Sequence, residues 1–449
     1  MDRVCWPYFD PEYENLSLRI NPPRVSIDNE TCRDCTLVKV DSLNKPGILL
    51  EVVQVLTDLD LIISKAYISS DGGWFMDVFH VTDQEGNKVT EARTIEHIEN
   101  ALGPKGHIVA TNGVKAWPGK RVGVHSIGDH TAIELIGWDR PGLLSEISAV
   151  LTNLHCNVVA AEVWTHNMRV ACVLYINDDT TCRAVEDPIR LSAMEEQLKN
   201  ILRGREDDEK AARTSFSMGL THMDRRLHQM MFAARDYEDG GVKEGKAYAP
   251  AFQPIITVDR CEDKGYSMVN VRCKDRPKLL FDIVCTLTDM QYVVFHASIS
   301  SSGPYALQEY YIRHMDGCIL DTEGEKQRVI KCLEAAIRRR VCEGLSLELS
   351  ARDRVGLLSE VTRIFRENGL TVTRAGVTTV GEKAINVFYV RDTSGNPVDM
   401  KAIEALRKEI GHNMMLNVKK VPSNVEAPES SGWGMTSFSF GSLFERFLA

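Results

Sequence analysis

Four stretches of the chain carry the same apolar stripe. In one of them Leu143, Leu144, Ile147, Val150, Leu151 and Leu154 fall at helical spacing and make a single wide face. Ile48, Leu49, Val52, Val55, Leu56 and Leu59 fill the same slots nearer the N-terminus, and Leu357, Leu358, Val361, Ile364, Phe365 and Asn368 fill them near the C-terminus. The remaining copy keeps five and puts Thr286 in the Val150 slot. Two residues past each stripe a β-rich run begins, at Leu61, Cys156, Tyr292 and Leu370, and five residues into each run stands an alanine: Ala66, Ala161, Ala297 and Ala375. Four alanines in one slot predict a place where a sheet leaves room for a helix or a ligand.

A self-similar unit fixes the architecture, so the pattern is read in units. Each predicts strand, helix, strand, strand, helix, and the fourth adds a closing strand over Met414–Val418. Asp71-Gly72-Gly73, between two β-runs, is a strong hairpin signal because glycine accepts positive φ. Two helices on one face of a four-stranded antiparallel sheet is the split-βαβ, ferredoxin-like arrangement of the α+β class. Units 1 to 3 lack a fourth strand. The short β-runs Arg24–Asp28, Arg121–His125 and Ile255–Asp259 are expected to supply it, since nothing fits between Arg340 and Leu345. The predicted organisation is a lead-in (1–21), unit 1 (22–105), unit 2 (119–202), a charged linker with a helical stretch (203–250), unit 3 (254–341), unit 4 (342–419) and an aromatic tail (420–449).

Ahead of each stripe stands one recurring turn. It reads Asp139-Arg140-Pro141-Gly142-Leu143-Leu144 in unit 2 and Asp353-Arg354-Val355-Gly356-Leu357-Leu358 in unit 4. Unit 1 has Asn44-Lys45-Pro46-Gly47, and unit 3 has Asp275-Arg276-Pro277-Lys278. Proline suits a first helical position because its missing N–H has no partner to lose there. A helix N-terminus offers unpaired N–H groups and partial positive charge, which suit an α-carboxylate. Gly47, Gly142 and Gly356 let a ligand approach the backbone; Asp139, Asp275 and Asp353 can accept an α-ammonium, and Asn44 can only hydrogen-bond it. The alternative is that the Asp or Asn caps the helix and Pro-Gly merely shapes the turn. Lys278 crowds the turn in unit 3, and unit 1 lacks the acid. Unit 2 is therefore the first choice for a ligand site and unit 4 the next, with units 1 and 3 as structural partners in pairs 1 with 2 and 3 with 4.

Four Asp-Arg-Pro-Gly-Leu-Leu-like turns in matched frames, each between a strand and a helix, resemble the ACT domain, a small-molecule-sensing module. Four such units and little else look like the plant ACT-domain-repeat (ACR) family, and the likeness extends to Leu227-His228-Gln229-Met230-Met231-Phe232 and the Ser437–Ala449 tail. The resemblance implies side-by-side modules that bind a free amino acid beside this turn, in a regulatory protein that senses amino-acid or nitrogen status without catalysis. It implies a protein partner of unknown identity and is compatible with a homodimer. A ligand-free scaffold of paired modules is the rival.

Composition narrows this further. The 449 residues are 43% hydrophobic and 26% charged, ordinary values for a globular chain. A net charge of −10 argues against nucleic acid as a partner. The basic run Arg338-Arg339-Arg340 ends a predicted helix and reads as a solvated face. No run of 18 apolar residues suggests a membrane span, and twelve cysteines without framework spacing read as reduced thiols, so the expected place is the cytoplasm, with the nucleus as a second option.

The bacterial uridylyltransferase nitrogen sensors end in two similar modules, but their catalytic Gly-Ser…Asp-x-Asp and His-Asp signatures have no counterpart here, so no catalytic residues and no cofactor are expected. Cys32-Arg33-Asp34-Cys35 is a lone CxxC. Zinc wants four ligands, and a redox pair wants a strand before and a helix after, so two ordinary loop thiols are expected and no metal. The aromatic tail (Phe438, Phe440, Phe444, Phe447) is expected to fold back on the chain or to bind another protein.

Overall fold

The computed structural model describes residues 23–44, 47–71, 73–103, 116–118, 122–127, 130–202, 215–217, 223–238, 253–261, 265–340, 344–394, 396–411 and 414–421. The lead-in, the aromatic tail beyond Val421, Gly72 of the hairpin signal and most of the charged linker lie outside them. Unit 1 comprises β1 (Arg24–Asp28), β2 (Thr36–Leu43), α1 (Ile48–Asp58), β3 (Ile62–Asp71), β4 (Trp74–Thr82) and α2 (Ala92–Leu102). After β5 (Ala116–Pro118), unit 2 comprises β6 (Val122–Ile127), β7 (His130–Trp138), α3 (Leu143–Asn153), β8 (Cys156–His166), β9 (Arg169–Asp178) and α4 (Pro188–Leu202). Strand β10 (Ser215–Ser217) and helix α5 (Met223–Ala233) follow. Unit 3 comprises β11 (Ile255–Cys261), β12 (Tyr266–Lys274), α6 (Leu279–Asp289), β13 (Tyr292–Ser302), β14 (Tyr305–His314) and α7 (Glu323–Arg339). Unit 4 comprises β15 (Gly344–Arg352), α8 (Leu357–Glu367), β16 (Leu370–Val380), β17 (Lys383–Asp392), α9 (Met400–Ile410) and β18 (Met415–Val421).

The runs upstream of units 1 to 3 do pair: β1 with β2, β6 with β7 and β11 with β12, all antiparallel. Units then join edge to edge into two eight-stranded antiparallel sheets, β1-β2-β4-β3-β13-β14-β12-β11 and β18-β15-β17-β16-β8-β9-β7-β6. The pairing is therefore 1 with 3 and 2 with 4, and the expected pairs of chain neighbours are corrected. What selects partners is the strand edge each unit leaves open, not proximity in sequence. Tyr67 lies opposite Ser298 at one seam, and Glu162 opposite Gly376 at the other. Each is the residue after the recurrent alanine, so each seam carries a local two-fold axis there. The four alanines are buried beside those axes, and the room they leave is taken by helices: α3 meets α8 above one seam, and α1 meets α6 above the other.

Proline does not begin the helices that follow the recurring turns. Leu143 N–H bonds to the Arg140 carbonyl at 3.1 Å, and Leu357 N–H to the Arg354 carbonyl at 3.1 Å. With Gly142 at φ 83°, ψ 0° and Gly356 at φ 79°, ψ 0°, these are type II turns, in which Pro141 or Val355 takes the second position. Lys278 holds the same left-handed conformation, φ 65°, at a cost of about 1–2 kcal/mol for a residue with a Cβ. These left-handed residues are themselves the helix N-caps, and no side chain caps the helix. Asp139, Asp275 and Asp353 are thus not caps.

The helical stretch expected in the linker is α5, and its packing is the largest departure from the sequence reading. Helix α5 packs Leu227, Met230 and Met231 against Trp164, Ala171 and Val173, on the face of the second sheet opposite its own helices. Its other side meets α6 and α7 of unit 3 through a buried ionic cluster. Arg339 grips Asp236 with two bonds, 2.6 and 2.5 Å, while Arg340 reaches Asp282 and Asp224, each at 2.9 Å. Lys278 reaches Asp224 at 2.9 Å, and Arg276 pairs with Asp282 at 2.6 Å. The basic run is therefore not a solvated face, since Arg339 and Arg340 are almost wholly buried. Buried charges persist only when paired, and here the acids come from α5, α6 and the turn after α5.

His228 lies inside the cluster, 2.7 Å from Asp282 through Nε2 and 3.2 Å from Arg339 through Nδ1. A guanidinium only donates, so Nδ1 accepts, Nε2–H donates to Asp282, and the imidazole is neutral. Burial holds its pKa below the usual histidine value, and the neighbouring arginines push the same way. Burial pushes the Asp236 carboxyl up, but Arg339 and His166 more than offset it and leave it at about 2. Both shifts make the unfolded chain bind more protons. The contribution of these two groups is then fully present above about pH 6.5, falls first as unfolded His228 takes up a proton, and falls again below about pH 4 as carboxylates protonate. Urea unfolding at pH 5 and 7 reads this as a difference: the parent should lose more stability from pH 7 to pH 5 than His228→Gln does. Asp282→Ala strands Arg340 and Arg276 and should cost about 3–5 kcal/mol; an unchanged urea midpoint would remove the cluster from the stability account.

Candidate functional site

The second sheet brings the turns of units 2 and 4 to opposite sides of one axis. Each turn is roofed by the other unit's helix at one equivalent position. Thr152 and Arg366 both lie nine residues after the first leucine of their helices. Arg366 lies over Gly142, where a Cβ would come within 2.8 Å of its Cδ, and Thr152 lies over Gly356, where a Cβ would come within 3.4 Å of its Cγ2. The glycines thus serve close approach as well as the left-handed turn.

Under the unit 2 turn, Asp139, Arg140, Gly142, Leu143 and Leu144 line a cavity of about 20 Å³ shared with Phe365, Arg366 and Thr371 of unit 4. Its counterpart, about 10 Å³, is lined by Asp353, Arg354, Gly356, Leu357 and Leu358 with Thr152 and Asn157 of unit 2. Each holds a water and little more. The unit 4 turn also borders a wider cavity of about 320 Å³, walled by Asp353, Arg354, Val355, Asn157, Asp178 and Thr379. That volume is in the range of small-ligand sites. Room therefore lies beside unit 4, the second choice on sequence.

The acids differ in surroundings. Burial pushes the Asp139 carboxyl up to about 7, against the Arg140 backbone N–H and charge. Among the described residues no ion pair forms with it. The Arg140 guanidinium turns instead to Glu146 and, at 3.1 Å, to the Ile201 carbonyl that ends α4. Arg140 thereby ties the turn to both helices of its unit, as Arg276 does in unit 3 through Asp282 and the Ile337 carbonyl. Asp353 accepts a bond from Asn157 of unit 2 at 3.1 Å. Thr371 holds the Asn157 place in the other half of the pair, facing the Asp139 cavity, and its buried Oγ1 has no hydrogen-bond partner among the described residues. Thr379 Oγ1 and Asn386 Oδ1, both lining the cavity under the unit 4 turn, are unpartnered likewise. Pro141 is exposed.

The first pair is arranged otherwise. Asn44 donates to Ser70 Oγ at 2.6 Å, and a Cβ at Gly47 would meet nothing within 4 Å; Lys45 and Pro46 lie outside the described residues. Asp275 accepts the Arg276 backbone N–H at 2.9 Å, while Lys278 and Arg276 are spent on the α5 cluster. Sequence reasoning missed Asp77 in unit 1. It alternates with Phe75, Phe79 and Val81 on the inward face of β4, fully buried, and burial raises its carboxyl well above the usual range. An acid inside an apolar in-facing run was the available signal.

Paired split-βαβ units with turn-to-helix cavities on either side of the dyad define the ACT class of module. Family models for the ACR family N-terminal ACT domain and for the ACT domain match residues 31–108 and residues 267–334 and 345–408 respectively. ACT domain-containing protein ACR3 of Arabidopsis thaliana is 71% identical over 455 residues, covering 100% of each chain, and ACR4 is 56% identical, covering 97% of this chain and 95% of its own. This chain belongs to the ACR family of ACT domain-containing proteins. A bifunctional uridylyltransferase/uridylyl-removing enzyme of Azospirillum brasilense is 41% identical over 81 residues, 18% of this chain and 9% of that one. No described helix is long and apolar enough to cross a membrane.

Asp139 supplies a test of the cavity's polarity. A carboxyl whose folded pKa is raised binds protons that the unfolded chain has released, so it subtracts stability as pH rises from about 4 to about 7. Asp139→Asn removes that loss. It should stabilise the ligand-free chain at pH 8 by about 1–2 kcal/mol, discounted for partial solvent contact, and change little at pH 4. Equal urea midpoints at both pH values would show that Asp139 is well solvated.

Proposed function

We propose that the chain is a non-enzymatic regulatory protein that binds a free amino acid between units 2 and 4 and passes that state to a protein partner. The observation that carries this reading is the half-buried Asp139 carboxylate, without an ion pair among the described residues, beside an uncapped helix N-terminus; Asp353 holds the equivalent place around the axis, bonded to Asn157. An α-ammonium satisfies the acid, and an α-carboxylate satisfies first-turn N–H groups that no side chain caps. The unpartnered hydroxyls of Thr371 and Thr379 offer further bonds. Because Arg366 and Thr152 roof the turns, entry requires α3 and α8 to shift, and a ligand that favours the shifted arrangement changes its population.

A ligand-free scaffold is the second reading, and the tightness of the two cavities under the turns favours it. Titration calorimetry of the full chain against the twenty amino acids decides. The expected outcome is saturable heat with a small subset, a drop of at least tenfold in affinity for Asp353→Ala or Asp139→Ala, and weaker binding below pH 7 where Asp139 takes part. No heat from a folded sample would sink the sensor reading.

A further inference from the structure

On the opposite face of the first sheet from its helices, the CxxC pair meets a third ligand that sequence spacing did not reveal. Cys32 and Cys35 lie in the β1–β2 loop with their sulfurs 3.1 Å apart. His80 on β4 brings Nδ1 to 3.4 Å from the Cys35 sulfur. All three donor atoms lie within 4.8 Å of one another. We propose that Cys32, Cys35 and His80 form a binding site for a soft divalent cation, with zinc the best match.

Two thiolates and an imidazole are the donors zinc prefers, while magnesium and calcium take oxygen. Zinc–sulfur bonds of about 2.3 Å and a zinc–nitrogen bond of about 2.0–2.1 Å, set tetrahedrally, place the sulfurs about 3.8 Å apart and sulfur and nitrogen about 3.6 Å apart. The Cys32–Cys35 and Cys35–His80 separations need to open by less than about 1 Å to meet that geometry, and the Cys32–His80 separation, within 4.8 Å, to close by no more than about 1.2 Å. Cys35 is buried while Cys32 and His80 are half-buried, so the fourth position faces solvent and is left to water or an outside donor.

The loop is held in place without the thiols. Asp28 accepts the backbone N–H groups of Glu30 and Thr31, each at 2.9 Å, and the Lys39 ammonium at 3.0 Å. Asn29 accepts from Thr36 at 2.5 Å and donates to the Val89 carbonyl at 3.0 Å. Ligands positioned before the ion arrives lose less freedom on binding it. Bound metal would tie the β1–β2 loop to β4 and so pin the outermost strand of the first sheet.

The test uses the reduced, metal-stripped full-length chain titrated with Co²⁺, whose thiolate complexes absorb by sulfur-to-metal charge transfer. One equivalent should saturate the absorption, and Zn²⁺ should displace it. Cys35→Ser should abolish the signal, His80→Ala should weaken Co²⁺ binding at least tenfold, and Cys332→Ser, at a buried thiol elsewhere, should leave it intact. A parallel experiment needs no variant: Zn²⁺ should protect Cys32 and Cys35 from alkylation, read by mass spectrometry, while the exposed Cys182 and Cys318 stay reactive. The proposal is overturned if the absorption survives Cys35→Ser, if His80→Ala binds as tightly as the parent, if Zn²⁺ gives no protection, or if the two thiols close into a disulfide in air despite saturating Zn²⁺.

Discussion

The structure depends on how each unit disposes of one open strand edge. A four-stranded split-βαβ sheet has two edges, and the one formed by β3, β8, β13 or β16 would otherwise present unpaired N–H and C=O groups. Antiparallel pairing across an axis satisfies both partners at once. It also fixes everything above the sheet. Each of these strands carries a register shift two or three residues ahead of its alanine, between Ile63 and Lys65, Val158 and Ala160, Val294 and His296, and Val372 and Arg374. Such bulges bend and twist a strand, here at one place in all four units. The cavities are therefore consequences of edge pairing: the turn of one unit ends up beneath the last turn of the other unit's helix.

Pairing first with third and second with fourth threads the chain back and forth between the two sheets, so neither sheet is complete until unit 3 or unit 4 has formed. Helix α5 fills the space this leaves. Its apolar side replaces solvent on the bare face of unit 2, and its acids neutralise arginines at the end of α7. Trp164 records the junction. It sits two residues from the axis of the second sheet, donates to Glu162 at 2.8 Å, and has the Arg340 guanidinium 5.0 Å over its ring and His228 5.0 Å away. Glu162 also holds Arg374 of unit 4 at 2.9 Å. One residue thus touches both members of one pair, the linker and the other pair.

Much of this was legible in the sequence, because repetition multiplies a weak signal. One apolar stripe is ambiguous; four in register with four turns and four alanines fix the units, and the chain's lack of room after Arg340 pointed to the upstream strands. What was not legible depends on partners far apart in sequence. Strand edges carry no label saying which edge they meet, so the pairing of units was open. Arg338-Arg339-Arg340 has the composition of a surface run, and only Asp224, Asp236 and Asp282 make two of its members interior. Proline before glycine fits both a helix start and a type II turn, and the positive φ of Gly142 and Gly356 decides between them. His80, 45 residues from Cys35, could not be joined to the CxxC pair by spacing.

The four turns show one scaffold spent in two ways. In unit 3 the left-handed position is a lysine, and its strain is offset because the ammonium reaches Asp224; a glycine there would relax the backbone and leave that acid one partner short. In units 2 and 4 the same position stays glycine, and Asp139 and Asp353 form no salt bridge among the described residues. A protein that needed only rigidity would gain from pairing Asp139, since an unpaired, partly buried carboxylate costs stability. Asp139 sits beside an uncapped helix end, in a chain that pairs the buried acids of the α5 cluster, and on the proposed reading that contrast is what a ligand site between units 2 and 4 requires. The cost falls where a charged ligand would repay it, at the seam that Trp164 connects to the rest of the molecule.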